Sequence, residues 1–204
     1  SDGQVLTSTG SGVGWEDAGS SGASDIDGLS DGVSGITNFT NSLILGHQTT
    51  GTLSSAERNT ALGYGSMQSI TSADDTVAVG YNAGKKVTSG TKNVMVGAYS
   101  GLQTVDPMTG TENVCIGYES GYNVGSGAGN VLMGTKSGYN LNNDESNTMI
   151  GHEAGYYHAG GPNTFVGRYA GRGTTSTSGS LHNVAVGVNA LTSINGSDNN
   201  VAIG

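Results

Sequence analysis

The chain has 204 residues, with 37 glycines, two prolines and a formal net charge of −9. This acidic balance argues against a nucleic-acid partner, because binding to phosphates calls for a basic stripe. A single cysteine excludes an intrachain disulfide, and no apolar run approaches the length of a membrane span, so we expect no membrane insertion.

Residues 1–41 lack any repeat and are rich in Gly, Ser and Asp, with Trp15 as their one large aromatic residue. We expect an irregular lead-in, with strand-like segments at Gln4–Thr7 and Val13–Trp15. The carboxylates of Asp25–Gly32 are spaced somewhat like those of a calcium loop. The segment lacks the closing bidentate Glu, and Asp-Gly pairs are ordinary turn chemistry, so we assign no metal site.

A short cassette that reads Asn, three apolar residues and Gly recurs through residues 42–204, at intervals of 16, 17 or 20 residues. Such a period predicts a solenoid, in which each coil buries its apolar face by stacking on its neighbours. Phe and Trp together number three, which fits a thin core one coil wide. We therefore predict an all-β parallel β-solenoid of about ten 17-residue coils. The cassette glycines are Gly46, Gly63, Gly80, Gly97, Gly117, Gly134, Gly151, Gly167, Gly187 and Gly204.

With the cassette Gly as position zero, each coil position has a recognisable preference. Position −4 is Asn in eight of ten copies, which suits the corner before a strand, and we expect the Asn residues of adjacent coils to stack there as a ladder. Positions −3 and −1 are apolar or β-branched in all ten copies; because residues two apart share a face, we expect both to point into the coil. Position +3 is always small, and position +7 is apolar in six of nine copies, which predicts a third inward anchor.

Position −2 lies between the two expected inward residues and is apolar in all ten copies. An outward apolar stripe of that length needs a partner surface, and the simplest partner is the same chain around an axis parallel to the rod. The alternative is a broad core that encloses both faces within one chain. The expected trimer-axis stripe is Ile44, Ala61, Ala78, Met95, Cys115, Leu132, Met149, Phe165, Ala185 and Ala202.

Five motifs carry a resemblance to fibrous surface proteins. The N-V-A-V-G at 183–187 and N-N-V-A-I-G at 199–204 resemble the N-x-V-A-I-G repeats in the heads of trimeric autotransporter adhesins, although the period here is longer. The N-T-A-L-G-Y-G-S-M at 59–67 and A-V-G-Y-N-A-G at 78–84 are more similar to bacteriophage tail-fibre shafts, and G-Q-V-L-T-S-T-G-S-G-V-G-W at 3–15 resembles a segment of phage virion fibres. The resemblance implies a homotrimer of left-handed coils.

No catalytic constellation is apparent. The four histidines form no metal-binding pair, the acidic residues form no repeated pair of the kind a glycosidase groove needs, and no nucleophile motif surrounds the serines. Tyrosines at positions +1 and +5 suit ladder packing between coils better than stacking on sugars. We therefore expect no catalytic residue, no cofactor and no metal, and we do not expect the chain to be an enzyme.

The sequence favours a structural component of a phage virion: a stiff homotrimeric tail-fibre shaft that spaces or presents a receptor-binding tip. Its expected partners are other copies of the chain and other tail proteins. The alternative is a host-surface adhesin or glycan-binding head that uses the longer coils near 104–111 and 174–180. The expected location is the extracellular virion or, alternatively, the bacterial cell surface. A depolymerising tailspike would need wider coils, and an ice-binding solenoid would need a regular Thr ladder.

Overall fold

The computed structural model describes the chain over residues 4–8, 13–17, 32–34, 37–47, 50–104, 106–174 and 178–204. Throughout those residues the regular secondary structure is β-strand, and no helix is found that could cross a membrane. The expected calcium-like loop lies almost entirely outside them. The strands are β1 Gln4–Ser8, β2 Val13–Asp17, β3 Gly32–Ser34, β4 Phe39–Thr40, β5 Leu43–Leu45, β6 Ala56–Glu57, β7 Thr60–Leu62, β8 Val77–Val79, β9 Val94–Val96, β10 Val114–Ile116, β11 Val131–Met133, β12 Thr148–Ile150, β13 His158–Ala159, β14 Thr164–Val166, β15 Ser178–Gly179, β16 Val184–Val186 and β17 Val201–Ile203.

Ten cassette strands stack side by side in one sheet, in the order of the chain, and every neighbouring pair is parallel. Equivalent cassette positions are always opposite each other, as when Cys115 pairs with Leu132. The coils therefore form a parallel β-solenoid of nine turns between ten strands. At one strand spacing per coil, the stack is roughly 45 Å long.

The segment that precedes the first cassette strand pairs with the first coil at the open end of the solenoid. Strand β3 pairs antiparallel with β5, so that Val33 lies opposite Ile44. Strand β4 pairs in parallel with β6, and the Phe39 side chain is fully buried in the core. The solenoid thus takes in Phe39 and Thr40, which the sequence analysis assigned to the lead-in. The expected strands near residues 4 and 13 are present as the antiparallel hairpin β1–β2.

The expected orientation of the cassette strand is wrong. The side chains at position −2 point into the coil: from Ile44 to Ala185 each is at most 1% exposed within a single chain. The residues at −3 and −1, which we expected inside, lie on the outer surface. Hence the expected trimer-axis stripe lies in the core of the single chain, where it is not accessible to a partner: Ile44, Ala61, Ala78, Met95, Cys115, Leu132, Met149, Phe165 and Ala185 are buried, and Ala202 in the last coil is half-buried.

The position +7 anchor is confirmed. Ile70, Val87, Val124 and Leu141 are buried at 1% exposure or less, Ile194 is nearly so, and Leu53 packs against the core. The interior of these six coils is therefore filled from two directions, by position −2 of the strand and by position +7 of the return segment. Position +3 is buried from Ser66 to Ala170, and its serines donate hydrogen bonds to the next cassette strand, as Ser137 does to the Met149 carbonyl at 2.6 Å.

The cassette Gly forms the corner at which the chain leaves the strand. Gly134 has φ of +129°, outside the range that side chains tolerate well, and a Cβ there would lie 2.6 Å from the Gly151 carbonyl oxygen. The successive coils approach each other backbone to backbone at this corner, which explains why the residue is Gly in all ten cassettes.

We expect Gly134→Ala to lower the free energy of unfolding by at least about 2 kcal/mol, because it adds both backbone strain and a clash with the next coil. The control is Gly129→Ala, also at positive φ (+66°) but with open space around a Cβ; it should cost about 1 kcal/mol. Chemical denaturation of both variants measures the difference. Equal losses would mean that close approach of the coils does not set the requirement for Gly.

Candidate functional site

The core matches large and small side chains between two coil positions. In the five successive coils whose position −2 runs from Met95 to Phe165, position +4 is Gly: a Cβ on Gly138 would lie 2.6 Å from Leu132, and a Cβ on Gly171 would lie 2.3 Å from the Phe165 ring. Where position −2 is the small Ala61, position +4 is instead the fully buried Met67. Close packing of a fixed volume requires such compensation. This pairing is visible in the sequence and would have identified position −2 as inward.

The cassette asparagines form a continuous hydrogen-bonded ladder inside one corner of the rod. Asn147 donates from its backbone N–H to the Asn130 Oδ1 at 3.0 Å, and its side-chain amide contacts the same oxygen at 3.2 Å. Asn130 repeats both bonds with Asn113, and its amide also donates to the Asp144 carbonyl at 2.9 Å. The same pattern continues to Asn200, which confirms the expected stacking of Asn at position −4.

The outer face of the cassette sheet is the most unusual surface of the chain. Its two parallel rows hold only aliphatic side chains and three threonines, with no charged residue at any of the twenty positions. Leu62, Met133 and Ile150 are 49%, 38% and 37% exposed. We call this surface the outer face; it consists of Leu43, Thr60, Val77, Val94, Val114, Val131, Thr148, Thr164, Val184 and Val201 at position −3, and Leu45, Leu62, Val79, Val96, Ile116, Met133, Ile150, Val166, Val186 and Ile203 at position −1.

Two tyrosine rows run along the rod beside the outer face. At position +5, Tyr122, Tyr139 and Tyr156 stack almost parallel, with centroid distances of 4.7 and 4.8 Å. Burial raises the pKa of Tyr139 to about 12. Because each ring face is covered by the next ring, this row serves ladder packing, as expected. The other row includes Tyr64 and Tyr81 at position +1. It is more exposed and extends the apolar surface of the outer face.

Charged side chains also pair between neighbouring coils. At position −5, Arg58 binds Asp75 through two hydrogen bonds of 2.6 and 3.1 Å, and Lys92 contacts Glu112 at 3.2 Å. The Arg58 guanidinium holds the pKa of the Asp75 carboxyl below its usual value, although both groups are exposed.

The middle coils carry a second charged row on another corner. The Lys136 ammonium lies 3.5 Å from the Glu119 carboxylate, and Arg172 donates to Glu153 at 2.7 Å. Both cations also lie within about 6 Å of the centroid of the Tyr156 ring. All of these side chains are therefore engaged within the rod, and they tie successive coils together.

Within the described ranges no group of three or more His, Cys, Asp or Glu side chains could hold a metal ion. Cys115 is fully buried and burial raises the pKa of its thiol to about 12, so the thiolate that reacts with reagents is disfavoured. His158 differs from the other histidines because it lies inside the core.

Comparison with protein-family models, with curated proteins and with solved structures gives no match. The fold and the surfaces of this chain are therefore the basis on which its function can be argued.

We expect Asn130→Leu to lower the free energy of unfolding by about 3 kcal/mol or more, since it removes several hydrogen bonds and leaves the buried Asn147 N–H and Asp144 carbonyl without partners. This loss of stability is larger than expected if Asn130 only favoured a turn conformation. Asn195→Leu, at an exposed turn position, is the control and should change stability by less than about 0.5 kcal/mol. Similar melting temperatures for the two variants would show that the ladder contributes little.

Adjacent residues on opposite faces of β11 provide a direct test of orientation. Leu132→Ala empties core volume and should cost about 2–5 kcal/mol, whereas Met133→Ala on the outer face should cost less than about 1 kcal/mol in the dissociated chain. Denaturation at low protein concentration, where association does not contribute, measures both. A larger loss of stability for Met133→Ala than for Leu132→Ala would mean that position −1, and not position −2, points into the coil.

Proposed function

We propose that the chain is a segment of a stiff homotrimeric fibre, the shaft of a phage tail fibre, which spaces or presents a receptor-binding tip. The single observation that carries this proposal is the outer face. Ten consecutive coils of an acidic chain leave this surface without one charge, while charged residues occupy other corners of the same coils. A surface of that kind is expected where another protein covers it.

The geometry of the outer face favours other copies of the same chain as its partner. The face runs the whole length of the stack, and its composition repeats with every coil. Copies arranged around an axis parallel to the rod bring the same coil of each chain to the same height. The two rows of each chain then meet equivalent rows, so that each strand is buried on both faces. That arrangement explains why the cassette has lost the alternation of a half-exposed strand.

The trimer axis of this proposal is lined by positions −3 and −1 in place of the stripe at position −2 that the sequence analysis selected. The number of chains and the left-handed winding rest on the resemblance to adhesin heads and tail-fibre shafts. A rod suits a spacer role because its coils are joined throughout by parallel strand pairing and by the Asn ladder. The longer coils near 104–111 and 174–180 insert residues without interrupting the cassette strands.

A glycan-binding head is the second candidate, and the exposed Tyr64 and Tyr81 at 64% and 46% favour it. Their rings stack on each other at 5.8 Å, which leaves only part of each ring face free for a sugar. Binding to a glycan array that is lost in a Tyr64→Ala, Tyr81→Ala variant would support this candidate. Loss of the trimer in the same variant would show instead that the row belongs to the assembly surface.

Native mass spectrometry of the full chain tests the assembly. We expect a complex of about 61 kDa, three times 20.4 kDa. The double variant Met133→Glu, Ile150→Glu should shift this to the single-chain mass, because like charges would be buried together in the interface, while circular dichroism still shows β structure. Ser89→Glu, Thr109→Glu adds the same charge at exposed positions of two other neighbouring coils and should remain trimeric.

A single-chain mass for the unmodified protein would overturn the fibre proposal. A two-chain mass would keep the outer face as the assembly surface but would reject the threefold axis. A trimer that survives the double glutamate variant would show that the chains associate through another surface.

A further inference from the structure

His158 occupies a core position that six other coils fill with aliphatic residues. It stands at position +7 of the coil of Gly151, equivalent to Leu141 in the coil before it, and it is fully buried. Its ring packs edge-on against Phe165, with the centroids 4.9 Å apart and the planes at 88°. The rod therefore carries one titratable ring where its construction calls for an apolar side chain.

The contacts of the two ring nitrogens suit neutral imidazole only. Nε2 lies 3.2 Å from the Ser180 carbonyl oxygen and 2.8 Å from the Asn163 side-chain amide nitrogen, while Nδ1 is buried without a hydrogen-bond partner. A neutral ring satisfies Nε2 either as a donor to Ser180 or as an acceptor from Asn163. The imidazolium carries a hydrogen on both nitrogens, so its Nδ1–H would be buried without an acceptor and its Nε2 could no longer accept from the Asn163 amide.

The charged side chains on the adjoining coils are paired with partners other than His158. The Asp144 carboxylate, from the coil before, accepts a hydrogen bond from the Gly160 N–H at 2.6 Å. The Arg172 guanidinium, from the coil after, is paired with Glu153 on the coil of His158 itself. None of the contacts in the described structure joins His158 to a carboxylate that would stabilise its cation.

Protonation of His158 would strain the contacts that join the coil of Gly151 to the coil of Gly167. Asn163 is the Asn-ladder residue of the next coil, that of Gly167, and also donates to the Ser180 carbonyl at 2.9 Å. Strand β13 begins at His158 and pairs with β15, on the segment that the 20-residue coil inserts. Strain at the ring therefore reaches both the ladder and the β13–β15 pair.

We propose that His158 makes the junction between the coils of Gly151 and Gly167 an acid-sensitive joint, at which the rod opens locally while its other coils stay stacked. This inference concerns the single chain and does not depend on the proposed fibre function.

The direction of the pH effect follows from the depressed pKa of His158. Burial lowers it from 6.5 to about 4. The folded state therefore keeps its full stability above the unfolded value of 6.5 and loses stability as the pH falls from 6.5 toward 4. Asp144 has the opposite sign: burial raises its pKa, so it gives relative stability at low pH and cannot cause acid opening.

Hydrogen exchange followed by mass spectrometry, corrected for the intrinsic rate at each pH, measures local opening. Between about pH 7.5 and pH 4.5 we expect opening at 156–165 and 178–184 to increase by about 70-fold, since protons bind the opened state more tightly. Peptides within 113–134 of the same molecule should change far less. An equal increase in both regions would indicate general loosening or loss of assembly and would overturn the joint.

The variant His158→Leu restores the residue type of Leu141 and should abolish the difference between the two regions. His152→Gln, a partly exposed histidine on the same coil, should leave it intact. An unchanged acid response in His158→Leu would refute the proposal. Should that variant fail to fold, NMR titration of the wild-type imidazoles decides: His158 must titrate well below 6.5, and a value near 6.5 would equally refute it.

Discussion

The stacking of each coil directly on the next, at the spacing of one β-strand, is the constraint on which the remainder of this structure depends. Backbone groups at the strand, at the glycine corner and in the return segment find their partners in the coils above and below. All coils must therefore follow nearly the same path, and the space enclosed by each is nearly constant. A residue can change in one coil only if another residue of that coil or its neighbour compensates.

Several features follow from that constant interior. Leu132 and Phe165 face glycines, whereas Ala61 is accompanied by Met67, because the volume per coil cannot vary much. The asparagines form a ladder because an identical path places each amide beside the next. Parallel stacking of Tyr139 on Tyr156 has the same origin. The added residues of the two longer coils leave the cassette strands in register.

Much of this could be predicted from the sequence, and the part that could not has a physical reason. The period, the strands, the Asn ladder and the +7 anchor each depend on the repetition of one residue type at one position. The choice of inward face does not depend on such repetition. Val131, Leu132 and Met133 are all apolar, so hydrophobicity alone cannot say which side chains of the strand point into the coil. Only the matched sizes of Leu132 and Gly138 carry that information. The placement of His158 in the core was also missed, since its coil position was not compared with the apolar anchors.

The alternating charges at position −5 have a consequence for how such a repetitive chain finds its correct order. Arg58, Asp75, Lys92 and Glu112 alternate in sign along one corner. Coils of nearly identical shape could also stack with one of them looped out, and excluding a 17-residue loop costs little chain entropy. Skipping the coil of Asp75 would bring Arg58 beside Lys92, so that like charges repel where opposite charges attract in the native order. Among these four coils the alternation thus disfavours any stacking order that skips one coil.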